Sequence, residues 1–221
     1  MTSTGSQVIQ YHRQTLHLHP FRAIFWQENA ALLLADVHLG KVAHFRKAGI
    51  PVPQTAEDDN WDRLISLLLD FQPKRVLFLG DLFHSEYNPA WEELGNFIHQ
   101  FNHISFELIP GNHDILFPDD YDRVGLKMQP PEYRLEPFIL AHHPPAEGQQ
   151  PETYLLAGHI HPAVRLQGTG RQRLRLPCFY FGKHFGLLPA FGSFTGLGEV
   201  KPQDGDQVYV IAEDTVVKIT P

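Results

Sequence analysis

Five apolar runs that each stop on a metal-binding residue type constrain this chain more than any other feature. The central run is RVLFLGD, Arg75 to Asp81, in which four apolar residues and a glycine precede a carboxylate. The others are LLLADVH, FELIPGNHD, FILAHHP and YLLAGHIH, which begin at Leu32, Phe106, Phe138 and Tyr154. Short, nearly continuous apolar runs predict strands buried on both faces. Because ligands collect at the carboxyl ends of such strands in open α/β sheets, the runs predict one shared site.

Length and charge limit the function classes. A chain of 221 residues is expected to form one domain, residues 1–221. Its net charge of -7 argues against a large basic surface for nucleic acid, so such a substrate would have to be held locally or with a partner's help. The single cysteine, Cys178, excludes an internal disulfide. No apolar run approaches the ~20 residues of a membrane span, so a cytoplasmic location without membrane contact is expected.

The first half of the chain alternates strand and helix signals. A helix is predicted over Thr55 to Phe71, with a threonine cap and one apolar face, and a second after Asn88 and Pro89. This alternation predicts a parallel or mixed sheet with right-handed crossovers.

The second half consists of short strand signals separated by Pro and Gly, including one over Leu187 to Phe191. Since helical signals are sparse there, this half predicts a second sheet packed on the first. Phe117 to Asp120 and Ala146 to Pro151 are predicted to be loops near the mouth of the site.

Taken in order, the strand ends resemble the signature of the calcineurin-like metallophosphoesterase superfamily. The matching motifs are D-x-H at Asp36 and His38, G-D at Gly80 and Asp81, G-N-H-D from Gly111 to Asp114, a histidine at His142, and G-H-x-H from Gly158 to His161. The resemblance implies a four-layer α/β/β/α sandwich, in which two mixed sheets face each other with helices outside. It also implies a centre of two divalent metal ions at the strand ends.

The resemblance further implies how the ligands divide between the two ions. They are Asp36, His38 and His161 on one ion, Asn112, His142 and His159 on the other, and Asp81 bridging both. Of the two adjacent histidines, the family's H-x-P pattern favours His142 as the ligand, which leaves His143 in a supporting or structural role. His113 is expected to be a general acid or transition-state stabiliser facing the phosphate. The alternative role for His113 is structural, as a loop histidine that is hydrogen-bonded to the backbone.

The chemistry explains these residue types. Two divalent ions ~3.5 to 4 Å apart clamp a phosphate and supply a bridging hydroxide for attack near neutral pH. Two carboxylates against two dications leave a charge of about +2, which attracts a phosphodiester anion. Imidazole, carboxylate and amide ligands suit Mn, Fe, Zn, Co or Ni rather than Ca, with manganese as the first expectation.

A narrower resemblance covers nearly the whole chain. Residues Leu32 to Pro53 and Leu176 to Gly196 are similar to the bacterial DNA ligase-associated metallophosphoesterases. This similarity implies a DNA-repair endonuclease or phosphodiesterase whose partners are an ATP-dependent ligase and a helicase. His44 and Arg46, like Lys41, then either contact phosphate or form a solvated face. His84, three residues past Asp81, either lines the pocket or packs structurally.

Arg171, Arg173 and Arg175 alternate along one face of a predicted strand. They either contact nucleic acid or charge an exposed edge strand against aggregation, and the edge explanation is favoured.

Two other functions stay open. A small-molecule phosphatase or nucleotide pyrophosphohydrolase predicts a closed pocket, whereas a nuclease needs an open groove. A catalytically idle, metal-stabilised subunit that recruits repair partners is opposed by the intact set of ligand residues, because degenerate sites usually lose ligands.

Overall fold

The computed structural model describes residues 5–41, 45, 55–83, 89–167, 173–193 and 195–219. Four residues singled out above, His44, Arg46, His84 and Arg171, lie outside the described residues. In the described part of the chain, no helix is both long enough and apolar enough to span a membrane.

The first sheet has seven strands that lie side by side in chain order. They are β1 (Gln7–Tyr11), β2 (Gln14–His19), β3 (Ala23–Trp26), β4 (Ala31–Leu34), β5 (Arg75–Leu79), β6 (Ser105–Ile109) and β7 (Leu126–Met128). Strands β1 to β4 pair antiparallel and β4 to β7 pair parallel. The sheet is therefore mixed, and β4, β5 and β6 end at the same edge.

The second sheet is built from the remaining strands. They are β8 (Glu132–Leu135), β9 (Phe138–Ala141), β10 (Tyr154–Ala157), β11 (Pro162–Gln167), β12 (Arg173–Phe181), β13 (Phe185–Leu187), β14 (Gly198–Glu199), β15 (Gln207–Ala212) and β16 (Thr215–Ile219). The order is β14-β11-β12-β13-β10-β9-β8, with β15 paired to β12 and β16 to β15. Strand β10 runs parallel to β9 and β13, whereas β8, β11 and β15 make antiparallel pairs. This sheet is mixed as well.

Three described helices complete the fold. They are α1 (Thr55–Phe71), α2 (Pro89–Gln100) and α3 (Pro118–Arg123). Apolar residues of all three, among them Leu67, Leu94 and Tyr121, share a core with the outward side chains of β4, β5 and β6. A second core lies between the sheets, where Leu33 and Leu77 of the first sheet join Leu140 and Leu156 of the second. The predicted fold class is confirmed, with the described helices on the first sheet.

The helix predicted over Thr55 to Phe71 is confirmed with the same bounds, but two other predictions were wrong. Phe117 to Asp120 is not simply a loop, because α3 begins at Pro118, where the fixed φ of proline suits the first helical position. The strand predicted over Leu187 to Phe191 stops at its first residue. The amide of Leu188 donates to the Ala157 carbonyl, and that of Phe191 to the Ala35 carbonyl, so this segment crosses from one sheet to the other.

Candidate metal centre

The structure brings the predicted strand ends together at one edge of the two sheets. Asp36 donates a backbone hydrogen bond to the Gly80 carbonyl at 3.2 Å, and His38 donates one to the Asp81 carbonyl at 3.0 Å. In the second sheet, the amide of Gly158 donates to the His142 carbonyl at 3.1 Å. The segments that follow β4, β5, β9 and β10 are therefore held in register where their strands end.

Potential ligand atoms converge in three overlapping groups, within each of which the atoms lie within 4.8 Å of one another. The groups are Asp36, His38 and His161; Asp36, Asp81 and His142; and His142, His143 and His159. Six of the seven predicted ligands, all of them His or Asp, appear in these groups. The seventh, Asn112, accompanies them, since its Oδ1 lies 2.8 Å from Nε2 of His143.

Five of these residues share an uncommon backbone conformation. Their φ angles are positive: 53° at Asp36, 51° at His38, 51° at Asp81, 67° at His159 and 52° at His161. Residues other than glycine seldom adopt this left-handed region, which costs roughly 1 kcal/mol each. Strain of this kind persists where the surrounding structure imposes it, and it clusters at functional sites.

Two carboxylates form the centre of the cluster. The Asp36 side chain is fully buried, and its Oδ2 accepts a hydrogen bond from the His159 amide at 2.9 Å. Its Oδ1 lies 3.3 Å from Nε2 of His161. Asp81 is also buried, and its Oδ1 accepts from the His113 amide at 2.9 Å. Each carboxylate is thus fixed by a backbone donor from a different strand end.

His142 and His161 are oriented in the same way. Nδ1 of His142 lies 3.0 Å from the Leu79 carbonyl, and Nδ1 of His161 lies 3.1 Å from the Gly196 carbonyl. Because a carbonyl only accepts, each Nδ1 must carry the proton, and Nε2 is left to face the carboxylates. Holding the remote ring nitrogen in this way is how proteins orient metal-binding histidines.

A second imidazole converges on the same point. Nε2 of His142 lies 3.1 Å from Nδ1 of His159 and 3.5 Å from Oδ1 of Asp81. Burial, reinforced by the neighbouring His142, lowers the pKa of His159 below its ordinary value. A neutral imidazole has a lone pair to offer, so this donor set of nitrogens and buried carboxylates fits divalent transition metals.

Comparison with models of known protein families identifies the family in which this site geometry occurs. The model of the family described as "calcineurin-like phosphoesterase" matches residues 31–173, which include every strand end of the cluster. The chain belongs to the calcineurin-like phosphoesterase family. It is therefore a hydrolase of phosphoester bonds that has candidate ligand clusters for the divalent metals this family binds.

One solved structure is similar to this chain over nearly its whole length. The nuclease MPE of Pseudomonas putida is 33% identical, with a TM-score of 0.80, and the match covers 97% of this chain and 100% of that one. The phosphoesterase Yfce from E. coli is 14% identical, with a TM-score of 0.41, over 86% of this chain and 97% of that one. A likeness as low as the second supports no argument. No protein of curated function matches the sequence.

Asp114, the last residue of the G-N-H-D motif, has a structural role in this phosphoesterase. Its Oδ1 accepts from the Leu82 amide at 3.0 Å and its Oδ2 from the Gly111 amide at 2.9 Å. Burial raises the pKa of this carboxyl to about 6, against the lowering effect of the amide donors. Asp114 therefore fastens the loop after β6 to the segment after Asp81.

Lys41 lies beside the phosphoesterase site, as its position after the D-x-H motif suggested. Burial lowers the pKa of this ammonium group, while the charges of Asp36 and Asp81 act in the opposite direction. The Lys41 amide also donates to the His38 carbonyl at 3.2 Å, which ties this residue to the D-x-H segment. His44 and Arg46, predicted with Lys41 to contact phosphate, stay predictions because they lie outside the described residues.

A groove of about 460 Å³ adjoins the cluster on the side of His142 and His143. Its walls come mainly from prolines and apolar residues of β9 and β10; they include Pro110, Pro131, Ile139, Pro144, Pro151 and Leu155. Ala146, Gln149 and Gln150 are exposed along its rim, so the groove is open to solvent on that side. The predicted loop over Ala146 to Pro151 therefore lies near the site.

Proposed function

We propose that this phosphoesterase is a dinuclear phosphodiesterase that cleaves nucleic acid, with DNA as the expected substrate. The observation that carries the proposal is the overlap of the three ligand groups, because sharing Asp36 and His142 between groups suits two adjacent ions. Support comes from the nuclease MPE of Pseudomonas putida, to which 97% of the chain aligns at 33% identity.

In the proposal, one ion is held by Asp36, His38 and His161, and the other by Asn112, His142 and His159. Asp81 would be shared by both ions: its Oδ1 lies 3.5 Å from Nε2 of His142, and its Oδ2 lies 3.9 Å from Nε2 of His38. When bound, the two ions would supply a nucleophile from water at neutral pH and a positive field for the phosphate. The two buried aspartates limit that field to about +2, enough to attract a phosphodiester anion.

In the proposal, His113 assists the leaving group. Its amide is bonded to Asp81, and its ring lies against the His38 ring with centroids 5.4 Å apart. The imidazole therefore stands at the border of the ligand cluster while its backbone is fixed by the bridging carboxylate. In this position it can hold a proton for the departing oxygen, a role for which histidine suits near-neutral pH.

The groove beside His142 and His143 favours a diester substrate with bulky groups on both oxygens. A closed pocket would suit a small phosphomonoester, whereas this groove is open along its exposed rim. A strand that continues beyond the scissile phosphate could leave the site through such an opening.

The test is hydrolysis of bis(p-nitrophenyl) phosphate beside p-nitrophenyl phosphate, by protein stripped with a chelator and then reloaded with Mn(II). We expect diester turnover that returns only with metal, together with a bound stoichiometry of two. Preference for the monoester would favour a small-molecule phosphatase or nucleotide pyrophosphohydrolase. No turnover with two ions bound would favour an idle subunit that recruits repair partners.

Finer features stay predictions. Reloading in turn with Mn, Fe, Zn, Co and Ni and comparing diester turnover tests the expectation of manganese. The expected DNA-repair role, the ligase and helicase partners and the cytoplasmic location require experiments in the cell of origin. Purification of the tagged protein after crosslinking would test the two partners directly.

A further inference from the structure

The hairpin formed by β11 and β12 carries three arginines on one face. Arg165 lies directly opposite Arg175 in the strand register, and Arg173 lies opposite Gln167. All three arginines are exposed. The other face is apolar and belongs to the same core cluster as Val208 and Val210 of β15; it presents Val164, Leu166 and Leu176. The hairpin thus has one apolar face, which joins the cluster with Val208 and Val210, and one basic face, which is exposed to solvent.

The charges on this basic face are not balanced. Arg165 pairs with Glu199 at 2.6 Å, and Arg175 donates to the Leu197 carbonyl at 2.6 Å. Within the described part of the chain, the Arg173 side chain makes no hydrogen bond or ion pair, although its backbone pairs with Gln167. Among these four charged side chains, two positive charges are therefore in excess.

Stability of the hairpin does not explain the arrangement. Like charges directly opposite each other across a strand pair are destabilising, which is the relation between Arg165 and Arg175. Protection of an open strand edge, the explanation favoured from sequence, needs only a charged side chain on the edge strand. Over Arg173 to Pro177, β12 pairs only with β11 among the described strands, so edge protection accounts for a charge on each strand of the hairpin. It gives no reason to place two arginines directly opposite each other. A negatively charged ligand does.

The basic face is continuous with the metal centre. His161 directly precedes β11, and its Nδ1 donates to the Gly196 carbonyl at 3.1 Å. The next carbonyl, that of Leu197, accepts from Arg175. At about 3.3 Å per strand residue, Arg165 lies roughly 13 Å from His161, and Gln167, which faces Arg173, lies roughly 20 Å away.

We propose that this face binds the phosphates of a nucleic-acid strand whose scissile phosphate lies at the metal centre. The proposal rests on the proposed function, and it names the substrate class as a polynucleotide. At roughly 13 and 20 Å along the hairpin from His161, Arg165 and Arg173 would meet phosphates several nucleotides from the cut. In a chain of net charge -7, such attraction has to be local.

The test compares strands that can and cannot reach the face. A labelled 20-nucleotide single strand with phosphorothioate linkages keeps its charges and resists hydrolysis, so its affinity for the metal-loaded protein can be measured by fluorescence anisotropy. We expect Arg173→Gln to weaken binding roughly threefold to tenfold at low salt, and Arg165→Gln with Arg173→Gln to weaken it further. The slope of log affinity against log salt should fall by about 0.7 for each phosphate that is no longer neutralised by an arginine.

Two controls separate this role from general effects. Arg13→Gln removes an exposed arginine in the turn between β1 and β2. This turn lies at the end of the first sheet away from the metal centre, so the affinity should stay unchanged. Arg173→Lys keeps the charge and should keep most of the affinity. A dinucleotide is too short to reach Arg173, so its hydrolysis, like that of bis(p-nitrophenyl) phosphate, should be the same in Arg173→Gln and wild-type protein.

Equal affinity of wild-type and Arg173→Gln protein for the 20-nucleotide strand would overturn the inference and would leave an acidic protein surface as the partner of this face. Equal weakening by Arg13→Gln would overturn it too, because binding would then follow net charge. Failure of wild-type protein to hydrolyse the small diester would instead refute the proposed function, and the binding comparison would still decide the role of the basic face.

Discussion

The backbone amide of His113 donates a hydrogen bond to Oδ1 of Asp81 across 2.9 Å. This bond joins the loop after β6 to the carboxylate at the end of β5, so the candidate general acid and the candidate bridging ligand are positioned together. An asparagine at position 81 could still accept this bond through its own Oδ1, but it would lack the negative charge.

Asp81→Asn should therefore separate catalysis from folding. We expect the kcat/KM for the diester to fall by more than about 100-fold, because even residues that only support metal ligands cost 10- to 100-fold when they are lost. The midpoint of thermal unfolding of the metal-free protein should stay within a few degrees of wild type. Asp204→Asn, which changes an exposed loop carboxylate, is the matched control and should be fully active. Wild-type turnover by Asp81→Asn would refute the bridging role.

The number of metal ions bound per chain should show which of the two adjacent histidines, His142 or His143, is a ligand. His142 is buried, and its Nε2 faces Asp81, whereas His143 is exposed and its Nε2 faces the Asn112 amide. We expect His142→Ala to bind fewer than two metal ions per chain and His143→Ala to keep two, as measured by elemental analysis after gel filtration. The reverse result would exchange their roles.

Gly158 permits the close approach of the two sheets at the site. A β-carbon at this position would lie 2.6 Å from Oδ2 of Asp36 and 2.7 Å from Cβ of Ala35. Gly158→Ala should cost about 1 to 3 kcal/mol of unfolding free energy, because backbone and ligand would have to shift apart. It should also lower metal affinity. Gly196→Ala is a matched control, since its β-carbon would meet nothing within 4 Å. Equal stability of the two variants in urea unfolding would contradict this explanation.

A buried ion pair fastens β5 to β6 away from the metal centre. Nε and Nη2 of Arg75 each lie 2.7 Å from an oxygen of Glu107, which also accepts from Gln129 at 2.6 Å. Glu107 is only 2% exposed. Glu107→Gln should cost about 3 kcal/mol in urea unfolding at pH 7, since it leaves the Arg75 charge without its partner. Glu136→Gln removes a carboxylate whose side chain is 70% exposed and should cost less than about 1 kcal/mol.

The same pair has a defined pH dependence. Burial alone would raise the pKa of Glu107, but hydrogen bonds and charge from Arg75 lower it below its ordinary value of 4.5. A folded pKa below the unfolded one contributes stability that is complete above about pH 4.5 and is lost as the pH falls through the folded pKa. The difference in unfolding free energy between wild-type and Glu107→Gln protein should therefore shrink below pH 4.5. A constant difference down to pH 3 would show that the charge of Glu107 is not what stabilises the pair.

Much of the fold was predictable because its signals are local. The apolar runs that end on Asp36 and Asp81 are strands β4 and β5 with their following turns, and Thr55 to Phe71 is a helix with the predicted bounds. Periodicity and end signals depend on neighbours within a few residues, so they are present in the sequence. The metal-binding residue types at the strand ends are also visible in the sequence, and the resemblance to the calcineurin-like signature implied which of them are ligands.

What the tertiary structure decided depends on residues far apart in the chain. The left-handed backbone of Asp36 and His161 has no local signal, and backbone hydrogen bonds join these two residues to Gly80 and Gly198, which are distant in the chain. The anchoring of two strand ends by Asp114 and the crossing of Leu188 to Phe191 also depend on distant partners.

The basic face of the β11–β12 hairpin likewise depends partly on local sequence and partly on contacts between distant residues. The sequence showed alternating arginines on one strand, but only the tertiary structure placed Arg165 opposite Arg175 and joined Arg175 to His161 through residues 196 and 197. A sequence determines which side chains a strand can present on each of its faces. The pairing of strands across the sheet determines which charges meet, because it alone fixes the distances between them.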